Sequence, residues 1–268
     1  GEKISRYCHI HQGMEDLLNK QKMTRLYSQE VGGCIQRCMG IDALNGVSIV
    51  SYEADQKDGT RYYQNFIQFM KKVQQEALSL NCAKTDVKGN RPWRPHQQKD
   101  PDLYLRVVEK KSDGIIVNGA KAHNACSVYV DEIVAIPTRS LTPEEKDWAV
   151  AFSVPADWVG VTIINASYSP GKRKKLDCPY VNFGASHSIT VFDRVFVPWE
   201  RVFLCGETEL AGKLALLFAL YHRHSYTGCK AALSEVFTGA TALAAEHNGI
   251  DKAQHVRHKL AELIQVVD

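Results

Sequence analysis

A change of hydrophobic pattern, from helical to strand-like and back to helical, most constrains how this chain can fold. Between residues 61 and 78, apolar side chains recur at spacings of three and four residues, which is typical of one face of an amphipathic helix. From Leu103 to about Phe203, short runs rich in Val, Ile, Phe and Thr are separated by turn residues, which indicates β-strands. From Ala211 to Asn248 the chain is rich in Ala and Leu, so helix returns. We therefore predict an α+β fold.

The strand-like region contains no helical stretch long enough to connect two parallel strands. Strands joined by short turns pair antiparallel, so we predict an antiparallel sheet or barrel. Ser112-Asp113-Gly114 is typical of a hairpin turn between the first two strands. The predicted strands are Tyr104–Lys110, Gly114–Ala120, Ser127–Pro137, Trp148–Pro155, Gly160–Ala166 and Ser188–Pro198. The chain before them is predicted to form helices over Met14–Tyr27, Val31–Tyr52 and Arg61–Leu78, then a loop over Asn81–Asp102.

Residues 221–230 carry an unusual set of polar groups on a predicted helix. At 3.6 residues per turn, one face of this helix carries the side chains of His222, Tyr226, Cys229 and Lys230. These groups titrate, donate protons or bind metals, whereas a core face carries Leu and Ala. A partly exposed polar face without a chemical role is the alternative.

Cys34 and Cys38 form a second feature of this kind. If both lie on the predicted helix from Val31, they are one turn apart on one face, with ~5–6 Å between their Cβ atoms. Buried, inert cysteines are one interpretation of the pair. Together with His222 and Cys229 they instead suggest a soft metal or cluster site between helices, and the residues alone do not distinguish zinc from iron.

Composition argues against several classes of partner. A net charge of +3 requires neither nucleic acid nor a membrane surface, and the basic run at residues 172–175 is typical of a solvated turn. No apolar run reaches the ~18 residues of a membrane span, and no signal peptide is visible. The eight cysteines are scattered, which favours a reducing, cytoplasmic compartment.

Since the chain starts at Gly1 and stops at Asp268 inside a helical pattern, we expect it to be part of a longer polypeptide.

Long motifs spread over nearly the whole chain resemble those of the 4-hydroxybutyryl-CoA dehydratases. The motifs are Cys34-x3-Cys38 with residues 39–45 (MGIDALN), residues 85–91 (TDVKGNR), 100–105 (DPDLYL), 119–123 (GAKAH), 191–198 (VFDRVFVP) and 221–230 (YHRHSYTGCK). The wider family includes the flavin-dependent 4-hydroxyphenylacetate 3-monooxygenases. The resemblance implies a fold similar to that of acyl-CoA dehydrogenases, which agrees with the helical, β and helical order.

The resemblance also implies boundaries and partners. It predicts a helical N-terminal domain with a flavin-contacting loop over residues 1–102, an antiparallel β-barrel domain over 103–205, and the start of a C-terminal helical bundle over 206–268. It implies an acyl-CoA substrate, the cofactors FAD and a [4Fe-4S] cluster, and a homotetramer with sites built across subunits.

Residue roles follow from the same resemblance. The positions that match cluster ligands are Cys34, Cys38, His222 and Cys229. Those that match FAD-contacting segments are Lys84, Thr85, Asp86, Lys88, Gly89, Asn90, Arg91, Lys121, Ala122, His123 and Asn124. Tyr226 and Lys230 match residues beside the substrate, and His222 matches the base proposed for removal of the C2 proton. The implied reaction is dehydration of a 4-hydroxyacyl-CoA with an associated Δ-isomerase activity.

Two positions depart from the dehydratase pattern. His187 replaces a Glu that precedes the Val-Phe-Asp strand, so this position offers an imidazole that either shuttles protons or packs without a catalytic role. Ala125 replaces a Thr near the flavin, which removes a hydrogen bond that tunes it. A phenol-hydroxylating flavin monooxygenase is the second functional hypothesis, and a structural metal-binding module is the third.

Overall fold

The computed structural model describes residues 3–166 and 186–267. Within them the chain divides into two compact units. The sheet unit contains residues 3–10, 36–166 and 186–221, and the helical unit contains residues 11–35 and 222–267. The basic run at residues 172–175 lies outside the described residues.

The helical, β and helical order is as predicted, although strands at Leu80–Ala83 and Val202–Cys205 were not among the predicted ones. The helices are α1 (Met14–Val31), α2 (Cys38–Asp58), α3 (Tyr62–Glu76), α4 (Thr208–His247) and α5 (Gln254–Val267). The strands are β1 (Leu80–Ala83), β2 (Arg106–Lys110), β3 (Gly114–Ala125), β4 (Glu132–Ala135), β5 (Val150–Pro155), β6 (Val161–Ala166), β7 (His187–Pro198) and β8 (Val202–Cys205). Helix α4 contributes its first part, up to Tyr221, to the sheet unit and the remainder to the helical unit.

Local sequence explains where the helices of the sheet unit begin and end. Gly59 adopts a left-handed backbone conformation with φ of 66° and ends α2. The Asp55 carboxylate then accepts hydrogen bonds from the backbone N–H groups of Tyr62 and Tyr63, at 2.8 and 3.1 Å. These N–H groups are at the start of α3, where no helical carbonyl is available to them, so Asp55 stabilises the turn between α2 and α3.

The strands form two four-stranded sheets. The inner sheet has the order β1-β4-β5-β8, and the outer sheet has the order β2-β3-β7-β6. Every residue of β1, β4 and β8 is buried, so the inner sheet is covered on both faces. Strand β7 alternates between exposed and buried positions over His187–Val191, as expected for a sheet with one solvated face. The predicted hairpin turn is confirmed, because β2 and β3 pair antiparallel on either side of it.

The predicted antiparallel barrel is wrong in two respects. In the described part of the chain neither sheet closes on itself, and the edge strands are β1 and β8 in one sheet and β2 and β6 in the other. Strand β1 also pairs parallel to β4, with Leu80 opposite Glu132. A strand buried on both faces has the same apolar sequence in a barrel and in a layered arrangement, so the pattern alone did not distinguish them.

The sheet unit contains two apolar cores. One lies between the inner sheet and the helices and includes Phe66 and Phe203, whose rings meet edge to face at 6.2 Å. The other lies between the sheets and includes Phe152 and Phe192, with ring centroids 5.6 Å apart. Such aromatic pairs add about 0.5–1.5 kcal/mol to the stabilisation from burial.

Among residues 3–166 and 186–267, no helix combines the length and apolar character needed to cross a lipid bilayer.

Candidate active site

The polar stretch at residues 221–230 lies within helix α4, as predicted. The His222 and Tyr226 rings are 4.7 Å apart and meet edge to face. The Lys230 ammonium lies 5.6 Å from the centroid of the Tyr226 ring. Contacts at i and i+4 place these three side chains in one row along the helix. Cys229 adjoins the row and is buried, whereas Tyr226 is 40% exposed.

Helix α1 packs against α4 in the helical unit and fixes that part of α4. His224 Nε2 lies 2.9 Å from the Leu17 carbonyl oxygen, and Gln21 donates a hydrogen bond to Thr227 Oγ1 at 2.9 Å. A Cβ atom at Gly228 would lie 2.5 Å from the Gln21 carbonyl oxygen, so only glycine permits this approach. His224 lies about 200° around the helix from His222. The face that packs on α1 is therefore opposite to the one that begins at His222.

The prediction that Cys34 and Cys38 share one helix is wrong. Helix α1 ends at Val31, because Gly32 takes a left-handed conformation with φ of 67°. Cys34 lies in the connection that follows, and Cys38 is the first residue of α2. Cys38 is buried, as is Asp42 one turn later. Cys34 is half-buried on irregular backbone.

The two segments predicted to contact FAD lie side by side in the sheet unit. The backbone N–H of Ala122 donates to the Thr85 carbonyl at 2.7 Å, and Asp86 and Lys121 form an isolated β-bridge. Their side chains form a buried ion pair with 2.8 Å between Lys121 Nζ and Asp86 Oδ1. The sequence did not predict this pairing, because 29 residues and a hairpin separate the two segments.

The surroundings of this ion pair satisfy both partners. Lys121 Nζ also donates to the carbonyl oxygens of Lys84 and Ile136, each at 2.9 Å. Asp86 Oδ1 accepts from the backbone N–H of Leu105 at 3.0 Å. Burial raises the pKa of the Asp86 carboxyl, and the Lys121 ammonium opposes that shift. The pair is thus a buried link between the two segments.

The remaining residues of the first segment form a surface loop that ends at Arg91. Gly89, Asn90 and Arg91 are exposed, and Lys88 is half-buried. The buried Gln98 side chain closes the loop, since it accepts from the Asn90 N–H at 3.0 Å and donates to the Asn90 carbonyl at 2.8 Å. Gln98 was not predicted from the sequence, and its position within a Pro-rich loop offered no signal.

A cavity of about 330 Å³ brings His123 and His187 together in the sheet unit. Its other lining residues are Ile164, Asn165, Ala166, Ser188 and Ile189. His123 lies at a bulge of β3 with φ of 58°, and His187 is the first residue of β7. Two predicted site residues from distant parts of the sequence therefore share one cavity. Asn124, the last residue of the second segment, is buried and donates to Thr190 Oγ1 at 2.9 Å.

Gln36 contacts the His187 end of this cavity. Its side-chain oxygen accepts from the backbone N–H of Ser186 at 3.0 Å, and its side-chain nitrogen lies 3.4 Å from His187 Nε2. Gln36 is buried and has φ of 55°, an uncommon conformation for a residue other than glycine. The sequence placed Gln36 between two candidate ligands but did not indicate this role.

Three other cysteines, Cys8, Cys82 and Cys205, are parts of the apolar cores. Burial raises the pKa of their thiols.

Family comparisons cover almost the whole chain. Residues 1–204 match the family described as 4-hydroxyphenylacetate 3-hydroxylase N terminal, and residues 211–268 match its C-terminal counterpart. The chain is 45% identical to the 4-hydroxybutyryl-CoA dehydratase/vinylacetyl-CoA-Δ-isomerase of Clostridium aminobutyricum, over 98% of this chain and 55% of that protein. It spans about half the length of the curated relatives it matches.

Comparison with solved structures finds the same two groups of enzymes. An oxygen-tolerant archaeal 4-hydroxybutyryl-CoA dehydratase from N. maritimus superposes with a TM-score of 0.93 at 40% identity, over 100% of this chain and 54% of that one. The oxygenase component of 4-hydroxyphenylacetate 3-monooxygenase complexed with FAD superposes with a TM-score of 0.84 at 28% identity, over 100% of this chain and 56% of that one. A glutaryl-coenzyme A dehydrogenase, at 12% identity and a TM-score of 0.50, shares the fold alone over 87% of this chain and 52% of that one.

Proposed function

Because the chain belongs to the 4-hydroxyphenylacetate 3-hydroxylase family, we propose that it is part of an FAD- and [4Fe-4S]-dependent hydroxyacyl-CoA dehydratase. Its substrate is 4-hydroxybutyryl-CoA or a close analogue, and the enzyme also isomerises vinylacetyl-CoA. The row of His222, Tyr226 and Lys230 beside the buried Cys229 is the observation that carries this proposal. The full-length enzyme is proposed to be a cytoplasmic homotetramer.

The residues proposed to hold FAD fit a dinucleotide. Loop residues 88–91 offer two cations and an amide near the surface, which suit a pyrophosphate. The second segment is fixed against this loop's base by the Asp86–Lys121 pair. A relative of known structure binds FAD on the same fold. We therefore assign Lys84, Thr85, Asp86, Lys88, Gly89, Asn90, Arg91 and Lys121–Asn124 to the FAD site.

The donor set proposed for the cluster also fits. Cys34, Cys38 and Cys229 supply three thiols, and His222 supplies an imidazole. Soft thiolate donors are those that iron–sulfur clusters require. Helix-borne Cys38 and Cys229 are buried, so their sulfur atoms are shielded from oxidation in bulk water.

The chain's own groups are assigned to two of the proton transfers. His222, while its imidazole is not bound to iron, would accept the C2 proton of the thioester, which the neighbouring carbonyl acidifies. The Tyr226 phenol would give a proton to the departing C4 hydroxyl, which leaves as water, and the Lys230 ammonium would stabilise negative charge on the phenol oxygen. Loss of one proton from C3 and return of one proton to C4 complete the balance, so that the products are crotonyl-CoA and water. One-electron transfer by the flavin and Lewis-acid polarisation by a cluster iron are the chemistry that the two cofactors supply when bound.

Cofactor analysis of the full-length protein tests this proposal. Protein purified under nitrogen should contain flavin and about four iron atoms per chain. Cys34→Ala should fold normally and lose iron, whereas the control Cys82→Ala, which alters a core thiol, should keep it. Absence of iron in the unmodified protein would contradict the proposal, and so would a Cys34→Ala variant that turns over substrate.

Flavin-dependent hydroxylation of a phenol is the second candidate function. The likeness to an FAD-bound oxygenase component favours it. That chemistry has no use for the thiol and imidazole donors at residues 34, 38, 222 and 229. Hydroxylation of a phenol that depends on oxygen and reduced flavin, without turnover of an acyl-CoA, would support this candidate over the first.

A further inference from the structure

The carboxamide of Gln36 has a fixed orientation. A backbone N–H only donates, so the Gln36 atom 3.0 Å from the Ser186 nitrogen must be the amide oxygen. The amide nitrogen then points to His187 Nε2, at 3.4 Å. The opposite orientation would place two donors against each other at Ser186.

This orientation constrains the proton on His187. The Gln36 nitrogen carries only hydrogens, so it stabilises an imidazole whose Nε2 accepts. A neutral imidazole with an accepting Nε2 carries its proton on Nδ1. An imidazolium, or the tautomer protonated at Nε2, would bring N–H towards N–H.

We propose that Gln36 is a positioning residue that holds His187 as the neutral tautomer protonated at Nδ1. His187 lines the cavity that it shares with His123, so the group at this position is an uncharged imidazole where the dehydratase pattern has a carboxylate. The proposal rests on the proposed function only in so far as its kinetic test uses turnover of an acyl-CoA.

The backbone at Gln36 supports a specific role. A φ of 55° is unfavourable for a residue other than glycine, and such strain persists where the surroundings impose it. Gln36 also joins two distant segments, because its partners lie 150 and 151 residues later in the chain.

Gln36→Glu tests the assignment with little change of shape. One carboxylate oxygen still accepts from the Ser186 N–H, but the other now accepts where the amide donated. Magic-angle-spinning ¹⁵N NMR of histidine-labelled full-length protein, with His187→Ala to assign the signal, reads the tautomer without requiring activity. In unmodified protein at mildly alkaline pH, the His187 signal should show a protonated Nδ1 and an unprotonated Nε2. In Gln36→Glu it should show a protonated Nε2.

A double-mutant cycle in kcat/KM supplies the second measurement. Gln36→Glu should lower kcat/KM for 4-hydroxybutyryl-CoA by about tenfold or more, as expected for a misdirected proton donor. In the His187→Ala background it should have no further effect. Iron is measured in each variant, because Gln36 lies two residues from both Cys34 and Cys38.

The outcomes separate the two proposals. A His187 signal with a protonated Nε2 in the unmodified protein would overturn the role of Gln36, whatever the activity. Equal effects of Gln36→Glu with and without His187 would do the same. Absence of dehydratase activity together with the expected NMR signal would contradict the proposed function and leave the tautomer assignment standing.

Discussion

The Lys121 ammonium lies 2.8 Å from the Asp86 carboxylate, and both side chains are almost completely buried, with 2% and 4% of their surface exposed. A buried charge is stable only if its partner and its other hydrogen bonds remain. Since this pair joins the two segments that we propose to hold FAD, the stability of the sheet unit and the proposed flavin site should depend on the same contact.

Lys121→Met is therefore expected to destabilise the protein by about 3–5 kcal/mol, because it leaves Asp86 as an unpaired buried carboxylate. FAD affinity should fall with it. Lys213→Met is the matched control, since Lys213 pairs with Glu53 on the surface and its loss costs less than about 1 kcal/mol. Urea denaturation of the full-length variants measures both effects. Equal midpoints for the two variants would show that the buried pair is not a structural link.

Acid should lower the free energy of unfolding, because it protonates the Glu145 carboxylate. Burial alone would raise the pKa of its carboxyl, but hydrogen bonds from Arg94, the Thr142 N–H and His96 lower it to about 2. A lowered pKa stabilises the fold above the unfolded value near 4.5 and loses that stabilisation as the pH falls towards 2.

Glu145→Gln should remove this pH dependence. At neutral pH the variant should be less stable by on the order of 2 kcal/mol, and the difference should shrink below about pH 4. Thermal unfolding across that pH range is the measurement. A difference in stability that stays constant with pH would contradict the lowered pKa.

Gly228→Ala should disrupt the packing of α1 on α4. The new methyl would lie 2.5 Å from the Gln21 carbonyl oxygen, and relief of that clash costs about 1–3 kcal/mol. Iron content should fall, because Cys229 is the next residue. Gly239→Ala on the same helix meets nothing within 4 Å and should stabilise by up to about 1 kcal/mol. Loss of iron in both variants, or in neither, would contradict a specific role for this contact.

At position 187 an uncharged side chain should serve better than a carboxylate. His187→Gln keeps an uncharged side chain that can donate, whereas His187→Glu at neutral pH only accepts. We expect kcat/KM of the glutamine variant to exceed that of the glutamate variant by about tenfold. Steady-state turnover of 4-hydroxybutyryl-CoA decides this, and a more active glutamate variant would show that the position needs an acceptor.

Much of the secondary structure follows from the sequence because its periodicity is strong. The apolar row from Tyr62 to Val73 predicted α3, and Asn248-Gly249 predicted the end of α4 next to His247. Strand β1 was assigned to a loop, since a strand of four residues leaves too short a pattern. The barrel was wrong because burial on both faces gives the same apolar run in either arrangement.

The site was predictable only in part. The row on α4 follows from helical spacing, because i and i+4 contacts depend on local geometry alone. Cys34 was placed on a helix because the Gly32-Gly33 pair was not taken as a stop signal. The Gln36–His187 contact depends on segments 151 residues apart, which no local pattern relates.

Turnover of 4-hydroxybutyryl-CoA by the anaerobically purified full-length protein tests the central claim most directly. The account predicts that crotonyl-CoA forms without net consumption of an oxidant or reductant, and that Cys34→Ala abolishes the reaction while Cys82→Ala does not. Failure to form an enoyl-CoA by protein that contains both flavin and iron would contradict it.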